Sequence, residues 1–205
     1  MIEYLVVQYI DSLTGIVLDP RKRLFVGYLL VAALLGVLWM CAQRKLGLGA
    51  ALRQMFDGKV WLGASARLDY QLLLINRALM VMLSPLLLSQ MAVATFVFYS
   101  LHGLDWIAPS VVAQVPGWAV IATFTFVLFV VDDFSRYLLH RLLQRVPGFW
   151  SFHKVHHSAT TLTPITVYLT HPVEGLLFAV RATCVQGCVL ASFIFVFGER
   201  VDLLC

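Results

Sequence analysis

The chain has 205 residues, of which 60% are hydrophobic and only 13% are charged. Soluble domains are about half apolar and about a quarter charged, so this composition excludes an ordinary water-soluble domain and indicates a membrane protein. The formal net charge of +4 is small, and the basic residues stand beside apolar segments. This pattern argues against a nucleic-acid partner and suits contact with anionic lipid headgroups.

Four apolar segments are long enough, or nearly so, to cross a bilayer as helices. A span needs about 20 mostly apolar residues, and the candidates are residues 24–42, 78–99, 117–131 and 175–197. Arg181, inside the last candidate, is expected to reach the interface or to face the protein interior. Residues 2–10, which have no basic region typical of a signal peptide, are expected to form an interfacial helix.

These segments predict an all-α fold, a multi-pass membrane bundle of about four transmembrane helices that forms a single domain over residues 1–205. Loop charges predict its orientation. Residues 100–117 contain no lysine or arginine and are expected outside the cytoplasm, whereas residues 43–77 and 132–154 carry several basic side chains and are expected inside it. The basic cluster at residues 21–23 does not fit this orientation. Either the charges of the other loops outweigh it, or the first helix does not cross the membrane.

The histidines form the strongest chemical signal, because five of the six fall between positions 140 and 171. Spacings of four, three and four residues place a first group on one helical face directly after the third span: Asp133, Tyr137, His140 and Gln144. A second group at i, i+3 and i+4 shares the face of a second helix: His153, His156 and His157. Pro147-Gly148 breaks the chain between the two helices, so the two faces are expected to turn toward each other.

A cluster of imidazoles on facing helices favours a metal site. Neutral imidazole suits iron, zinc, copper and nickel. A single histidine on such a surface is better explained by headgroup contact. Several histidines on one face, opposite His140, would leave polar groups unsatisfied in apolar surroundings unless a cation joins them. The histidine-bearing cap is predicted to be cytoplasmic whether or not the first helix crosses the membrane. The compact arrangement of about four spans favours a bacterial inner membrane over the endoplasmic reticulum.

This block of residues resembles the fatty acid hydroxylase and sterol desaturase superfamily of membrane oxygenases. The first box of that family has the form HRxxH after an upstream aspartate and tyrosine, the second reads WxxHxxHHS, and an HPxE element begins the following span. In this chain HRLLQ follows Asp133 and Tyr137, WSFHKVHHS occupies 150–158, and HPVE occupies 171–174. The resemblance covers the core motifs over about residues 133–174.

The resemblance implies a di-iron centre held mainly by histidine, dioxygen as the oxidant and a membrane lipid as the substrate of hydroxylation or desaturation. It implies five metal ligands, namely His140, His153, His156, His157 and His171. It implies three supporting residues, Asp133, Tyr137 and Gln144, with Asp133 accepting a hydrogen bond from a ligand imidazole. It also implies an external electron donor, such as a reductase, a ferredoxin or a cytochrome, because the sequence shows no flavin, haem or iron–sulfur motif.

Two departures from the family pattern bear on activity. Gln144 stands where the first box has its second histidine, and a glutamine oxygen is a poorer ligand for iron than imidazole. No histidine follows His171, so the third box of the family is missing, and the chain is expected to be C-terminally incomplete and to hold about one iron or zinc ion. Two interpretations therefore stay open. The chain is part of a lipid-oxidising enzyme, or it is an inactive homologue that acts as a metal-binding membrane scaffold or partner subunit.

Overall fold

The computed structural model describes residues 2–84, 87, 89–104 and 115–198. Within these residues all regular secondary structure is helical, which confirms the predicted all-α class. The α-helices are α1 Ile2–Leu18, α2 Val26–Gln43, α3 Leu48–Met55, α4 Gly58–Trp61, α5 Ala64–Leu83, α6 Gln90–His102, α7 Gly117–Arg145, α8 Pro147–His153 and α9 Pro172–Phe197. A 3-10 helix, Pro164–Tyr168, lies between α8 and α9.

In the described part of the chain, three helices are long and apolar enough to cross a membrane: α2, α7 and α9. They correspond to the first, third and fourth predicted spans, so the chain is an integral membrane protein. The predicted second span, residues 78–99, is not one helix, because α5 ends at Leu83 and α6 begins only at Gln90. The physical reason lies in the sequence between them, where Pro85 has no amide hydrogen to donate to a continuing helix.

Two further predictions concern the remaining segments. The amino-terminal helix α1 extends to Leu18, which is longer than the interfacial helix predicted over residues 2–10. The basic-free stretch 100–117 includes residues 105–114, which lie outside the described residues. Its predicted place outside the cytoplasm therefore stays a prediction.

The chain divides into two compact units, one of residues Met1–Pro85 with Ser151–Pro172 and the other of Leu86–Trp150 with Val173–Cys205. In the first unit α1 packs against α5, α2 packs against α3, and α5 packs against the 3-10 helix. The small apolar core between α2 and α3 is formed by Val37, Met40 and Ala51. This unit contains the histidines of the second group.

In the second unit, α6 and α9 approach closely through small residues. Ala94 of α6 packs against Leu190 and Ala191 of α9. A Cβ atom added to Gly187 would lie 2.8 Å from the side chain of Val93, so this position requires glycine. Small residues allow helix backbones to approach in a membrane, where dispersion contacts replace the hydrophobic effect as the source of association.

The same unit contains an ion pair between two membrane-spanning helices. The Arg181 guanidinium of α9 lies 3.0 Å from the carboxylate of Asp132 on α7, and it also donates to the Asp132 carbonyl at 2.8 Å and to the Ser135 hydroxyl at 2.7 Å. Of the two orientations expected for Arg181, the structure has the one that faces the protein interior. The pair therefore joins α7, which carries His140, to α9.

Candidate metal centre

The histidines of the second group lie at the end of α8 and in the turns that follow it. Helix α8 ends at His153, so the prediction that all three histidines share one helix is wrong beyond that residue. The next backbone N–H groups, those of His156, His157 and Ser158, donate to carbonyls three residues back instead of four. Side chains three residues apart eclipse one another in such turns, and the His153 and His156 rings accordingly stack at 5.7 Å with 27° between their planes.

Two imidazole nitrogens in this turn lie within hydrogen-bonding distance of each other. Nε2 of His157 lies 3.2 Å from Nε2 of His153. Two nitrogen atoms bound at about 2.0–2.1 Å to one metal ion, with an angle between 90° and the tetrahedral value, stand roughly 2.8–3.4 Å apart. The two nitrogens are therefore spaced as neighbouring ligands of a single ion would be.

The third imidazole has a defined tautomer. Nδ1 of His156 lies 3.1 Å from the carbonyl oxygen of Leu169. A carbonyl oxygen only accepts hydrogen bonds, so in the neutral ring Nδ1 carries the hydrogen and Nε2 keeps its lone pair. A backbone carbonyl that orients a ligand imidazole in this way is a regular partner of histidine at metal sites.

His153 is held in the form that binds metal. Its side chain is fully buried. Burial lowers the pKa of His153 below its ordinary value, and the neighbouring His157 and His156 lower it further by charge repulsion. The ring is therefore neutral at neutral pH, and a metal ion need not displace a proton from it.

One polar face of α5 holds the segment that follows the histidine turn. Ser65, Asp69 and Asn76 are spaced at i, i+4 and i+11, which places them on one side of the helix. Their hydrogen bonds follow the order of the segment. The Ser65 hydroxyl accepts from the backbone N–H groups of Thr160 and Thr161. Further along, Asp69 accepts from the Thr166 hydroxyl, and the Asn76 amide donates to the Thr170 carbonyl at 2.8 Å. The position of Leu169, which accepts from His156, is thereby set by α5.

Asp69 is the central member of this face. It is fully buried, and the Thr166 hydroxyl that donates to it also accepts from the backbone N–H of Thr163 at 3.0 Å. Thr163 and Thr166 form a capping box that begins the 3-10 helix. Asp69 was not among the predicted site residues, although the recurrence of polar residues on one face of α5 was a signal that could have found it.

His140 and the other members of the first group lie together on α7, as predicted. Nε2 of Gln144 lies 3.0 Å from Nε2 of His140. Tyr137 is exposed, and its hydroxyl accepts from the guanidinium of Arg141. Asp133 is also exposed, and the carboxylate that forms ion pairs in this part of α7 is its neighbour Asp132. The role predicted for Asp133, accepting from a ligand imidazole, stays a prediction.

His171 lies immediately before α9, which begins at Pro172. Its ring is 4.9 Å from the ring of Phe152, between centroids, and the two planes are tilted by 42°. This contact places the HPVE element against α8, one residue from His153.

The described side chains fit a metal ion in part. Over residues 2–84, 87, 89–104 and 115–198, no group of three or more histidine, cysteine, aspartate or glutamate side chains is placed so that it could hold a metal ion. The pair His153 and His157 has ligand spacing, and His156 has the required tautomer with Nε2 directed away from Leu169. The structure therefore brings two imidazole nitrogens together, and within the described residues no third donor completes a ligand set.

Comparisons with known proteins find a family resemblance over the part of the chain that contains the histidine groups. The fatty acid hydroxylase family model matches residues 125–201, which include both histidine groups and the HPVE element. Among curated proteins, the chain is similar to a Delta(7)-sterol 5(6)-desaturase of Eremothecium gossypii, with 32% identity over 89 residues. That match covers 42% of this chain and 25% of the desaturase, so the chain corresponds to about a quarter of its relative's length. No solved structure matches the chain significantly.

Proposed function

We propose that this chain takes part in the dioxygen-dependent oxidation of a membrane lipid at an iron site, because residues 125–201 match the fatty acid hydroxylase family model and part of the chain is similar to a sterol desaturase. The observation that carries the proposal is the 3.2 Å separation between Nε2 of His153 and Nε2 of His157, the spacing of two ligands on one ion. The reaction is hydroxylation or desaturation of a sterol, a fatty acyl chain or a related lipid.

The proposed ligands are His153, His156 and His157, to which the motif match adds His140 and His171. Iron bound by these imidazoles would supply the redox chemistry that activates dioxygen. The chain's own contribution is to orient and desolvate the ligands. The Leu169 carbonyl holds His156 in one tautomer, and burial keeps His153 neutral.

The membrane setting supports a lipid substrate and an outside source of electrons. The second unit has an apolar cleft of about 240 Å³ between α6 and α9, lined by Met91, Ala94, Thr95, Phe98, Tyr99, Leu190, Ala191 and Ile194. Apolar walls of this kind suit an acyl chain or a sterol ring system. We propose that a reductase, ferredoxin or cytochrome delivers the electrons on the cytoplasmic side, where the charges of the loops predict the histidines to lie.

A second candidate function is a metal-binding membrane scaffold or partner subunit without activity of its own. The observation that favours it is Gln144, which takes the place of a ligand imidazole in the first box and lies beside His140. Membranes that contain the chain, supplied with iron(II), a reductant and labelled dioxygen, separate the two functions. Lipids that gain one labelled oxygen atom or lose two hydrogen atoms, detected by mass spectrometry, support the enzyme. If these lipids have the same masses as the lipids of membranes that contain a His153→Ala, His157→Ala variant, the result supports the scaffold.

Removal of two imidazoles tests the site itself. The purified chain is expected to carry iron or zinc at about one ion or fewer, since about three protein ligands are needed per ion. A His156→Ala, His157→Ala double substitution is expected to remove that metal, because it deletes one of the paired nitrogens and the ring oriented by Leu169. Metal analysis by mass spectrometry measures the loss, and His102→Ala is a matched control because the His102 ring instead contacts Phe98 and Phe195. Unchanged metal content in the double variant would rule out the site.

Gln144→His tests whether the first box has lost a ligand. Gln144 lies one turn beyond His140 on α7, so the substitution places a second imidazole beside the first. We expect metal affinity to rise by about tenfold or more, since losses of even indirect partners cost roughly 10–100-fold. Competition of both proteins with a zinc chelator measures the change. Equal affinities would show that Gln144 does not replace a ligand.

A further inference from the structure

Four cationic side chains from separate parts of the sequence line one cleft in the first unit. The cleft has a volume of about 310 Å³, and its walls are formed by Arg21, Lys22, Arg23, Arg77, Val167 and Tyr168. The first three residues lie in the connection between α1 and α2, Arg77 lies on α5, and the last two belong to the 3-10 helix. With about 30 Å³ per water molecule, the volume holds roughly ten waters, which is enough for a phosphate group and its nearest substituents.

The charges in this cleft are not neutralised by the described part of the protein. No carboxylate among the described residues forms an ion pair with any of the four cations. The nearest acid in sequence, Asp19, uses its carboxylate to accept the backbone N–H of Arg21 at 2.9 Å. The Arg77 guanidinium is instead held 5.2 Å above the ring of Tyr168, which fixes its position without cancelling its charge. Like charges held together in this way favour a bound anion.

The cleft lies next to the start of a membrane-spanning helix. Residues 21–23 lie just before α2, separated from it by Leu24 and Phe25, and the first turn of the helix includes apolar and aromatic side chains suited to the membrane interface. The Tyr28 hydroxyl donates to the Pro20 carbonyl at 2.9 Å, and its ring packs edge-on against Phe25. These contacts tie the basic turn to the start of α2, and basic residues at the start of a spanning helix are placed to meet lipid headgroups.

We propose that this cleft binds the phosphate group of an anionic phospholipid. Arginine presents planar, paired donors that match phosphate oxygens, and three of the four cations are arginines. The cleft also adjoins the histidine turn, because Tyr168 precedes Leu169, whose carbonyl accepts from His156. A bound headgroup therefore also holds in place the 3-10 helix that supports the histidines.

Lipid-dependent stabilisation of the purified chain tests the proposal. The thermal unfolding of the full chain in a neutral detergent is followed while phosphatidylglycerol, phosphatidylcholine or inorganic phosphate is added. We expect phosphatidylglycerol to bind more tightly than phosphatidylcholine. An Arg21→Gln, Arg23→Gln, Arg77→Gln variant is expected to bind phosphatidylglycerol on the order of 100-fold more weakly, at about fivefold per basic residue.

A matched variant removes the same charge from elsewhere in the unit. Lys45→Gln, Arg53→Gln, Lys59→Gln also lowers the net charge by three, and it is expected to keep the preference for phosphatidylglycerol. Arg77→Lys, which retains the charge and is less disruptive to folding, is expected to weaken binding less than Arg77→Gln. Equal phosphatidylglycerol binding by the two triple variants would overturn the proposal. Stabilisation by inorganic phosphate without any by phosphatidylglycerol would overturn the assignment of the phosphate to a lipid.

Discussion

Asp132→Leu is expected to lower the free energy of unfolding by about 3–5 kcal/mol, because it leaves the Arg181 guanidinium largely buried without its counter-charge. The side chains of Arg181 and Asp132 are only 12% and 18% exposed, and both lie in helices that cross the membrane. The two acceptors that remain for Arg181 are the residue 132 carbonyl and the Ser135 hydroxyl, neither of which carries a charge. Thermal unfolding in detergent measures the effect.

A second basic residue bound to the same carboxylate provides the control. Arg136 also lies 3.0 Å from Asp132, but its side chain is 50% exposed and it is one turn away on the same helix. Arg136→Met is expected to cost at most about 0.2–1 kcal/mol, the usual range of an exposed ion pair. Equal destabilisation by Arg136→Met and Asp132→Leu would show that burial of the Arg181 pair does not stabilise the fold.

The double variant Asp132→Leu, Arg181→Met completes the test. Removing both partners of a buried pair deletes the stranded charge together with its counter-charge, and such replacements are often neutral or stabilising. The double variant is therefore expected to be more stable than Asp132→Leu alone. If it is equally unstable, the loss in the single variant comes from altered packing of α7 against α9 and not from the charge.

Asp69→Ala is expected to weaken metal binding by about 10–100-fold although the residue is no ligand, since it acts on His156 through the 3-10 helix. Without the carboxylate, the Thr166 hydroxyl loses its buried acceptor, at a cost of about 1–3 kcal/mol. The 3-10 helix Pro164–Tyr168 then loses its hydrogen bond to α5. As a result, the Leu169 carbonyl no longer keeps the hydrogen on Nδ1 of His156. Zinc titration against a chelator measures the affinity.

Two further variants separate a positioning role from a general loss of stability. Asp69→Asn retains an acceptor oxygen for Thr166 and is expected to recover most of the affinity. Asp57→Ala removes an acid that accepts from the backbone N–H of Lys59 at 2.9 Å and caps α4. Its loss is expected to cost about 1 kcal/mol of stability and leave metal binding unchanged. Metal affinity that is equal in Asp69→Ala and Asp57→Ala would contradict the proposed link between Asp69 and His156.

The class of the protein and the positions of its histidine groups follow from local patterns in the sequence. Composition and segment length are sufficient to predict a helical membrane protein, because a bilayer admits few other structures for long apolar segments. Three of the four predicted spans correspond to long apolar helices, whereas the second is divided between α5 and α6. The spacing of His140 and Gln144 places them together on α7, because the periodicity of a continuous helix depends on neighbouring residues alone.

Contacts between distant residues required the tertiary structure. The histidine turn leaves helical geometry after His153, which the spacing of the histidines does not reveal, since i, i+3 and i+4 residues also meet in successive turns. The bonds from Asp69 to Thr166 and from Arg181 to Asp132 join residues 97 and 49 positions apart. Helical periodicity says which face a side chain occupies but not which element that face will meet. The sequence by itself thus determined the fold class and the histidine cluster, and only packing decided which carboxylates and carbonyls hold the cluster and the helices in position.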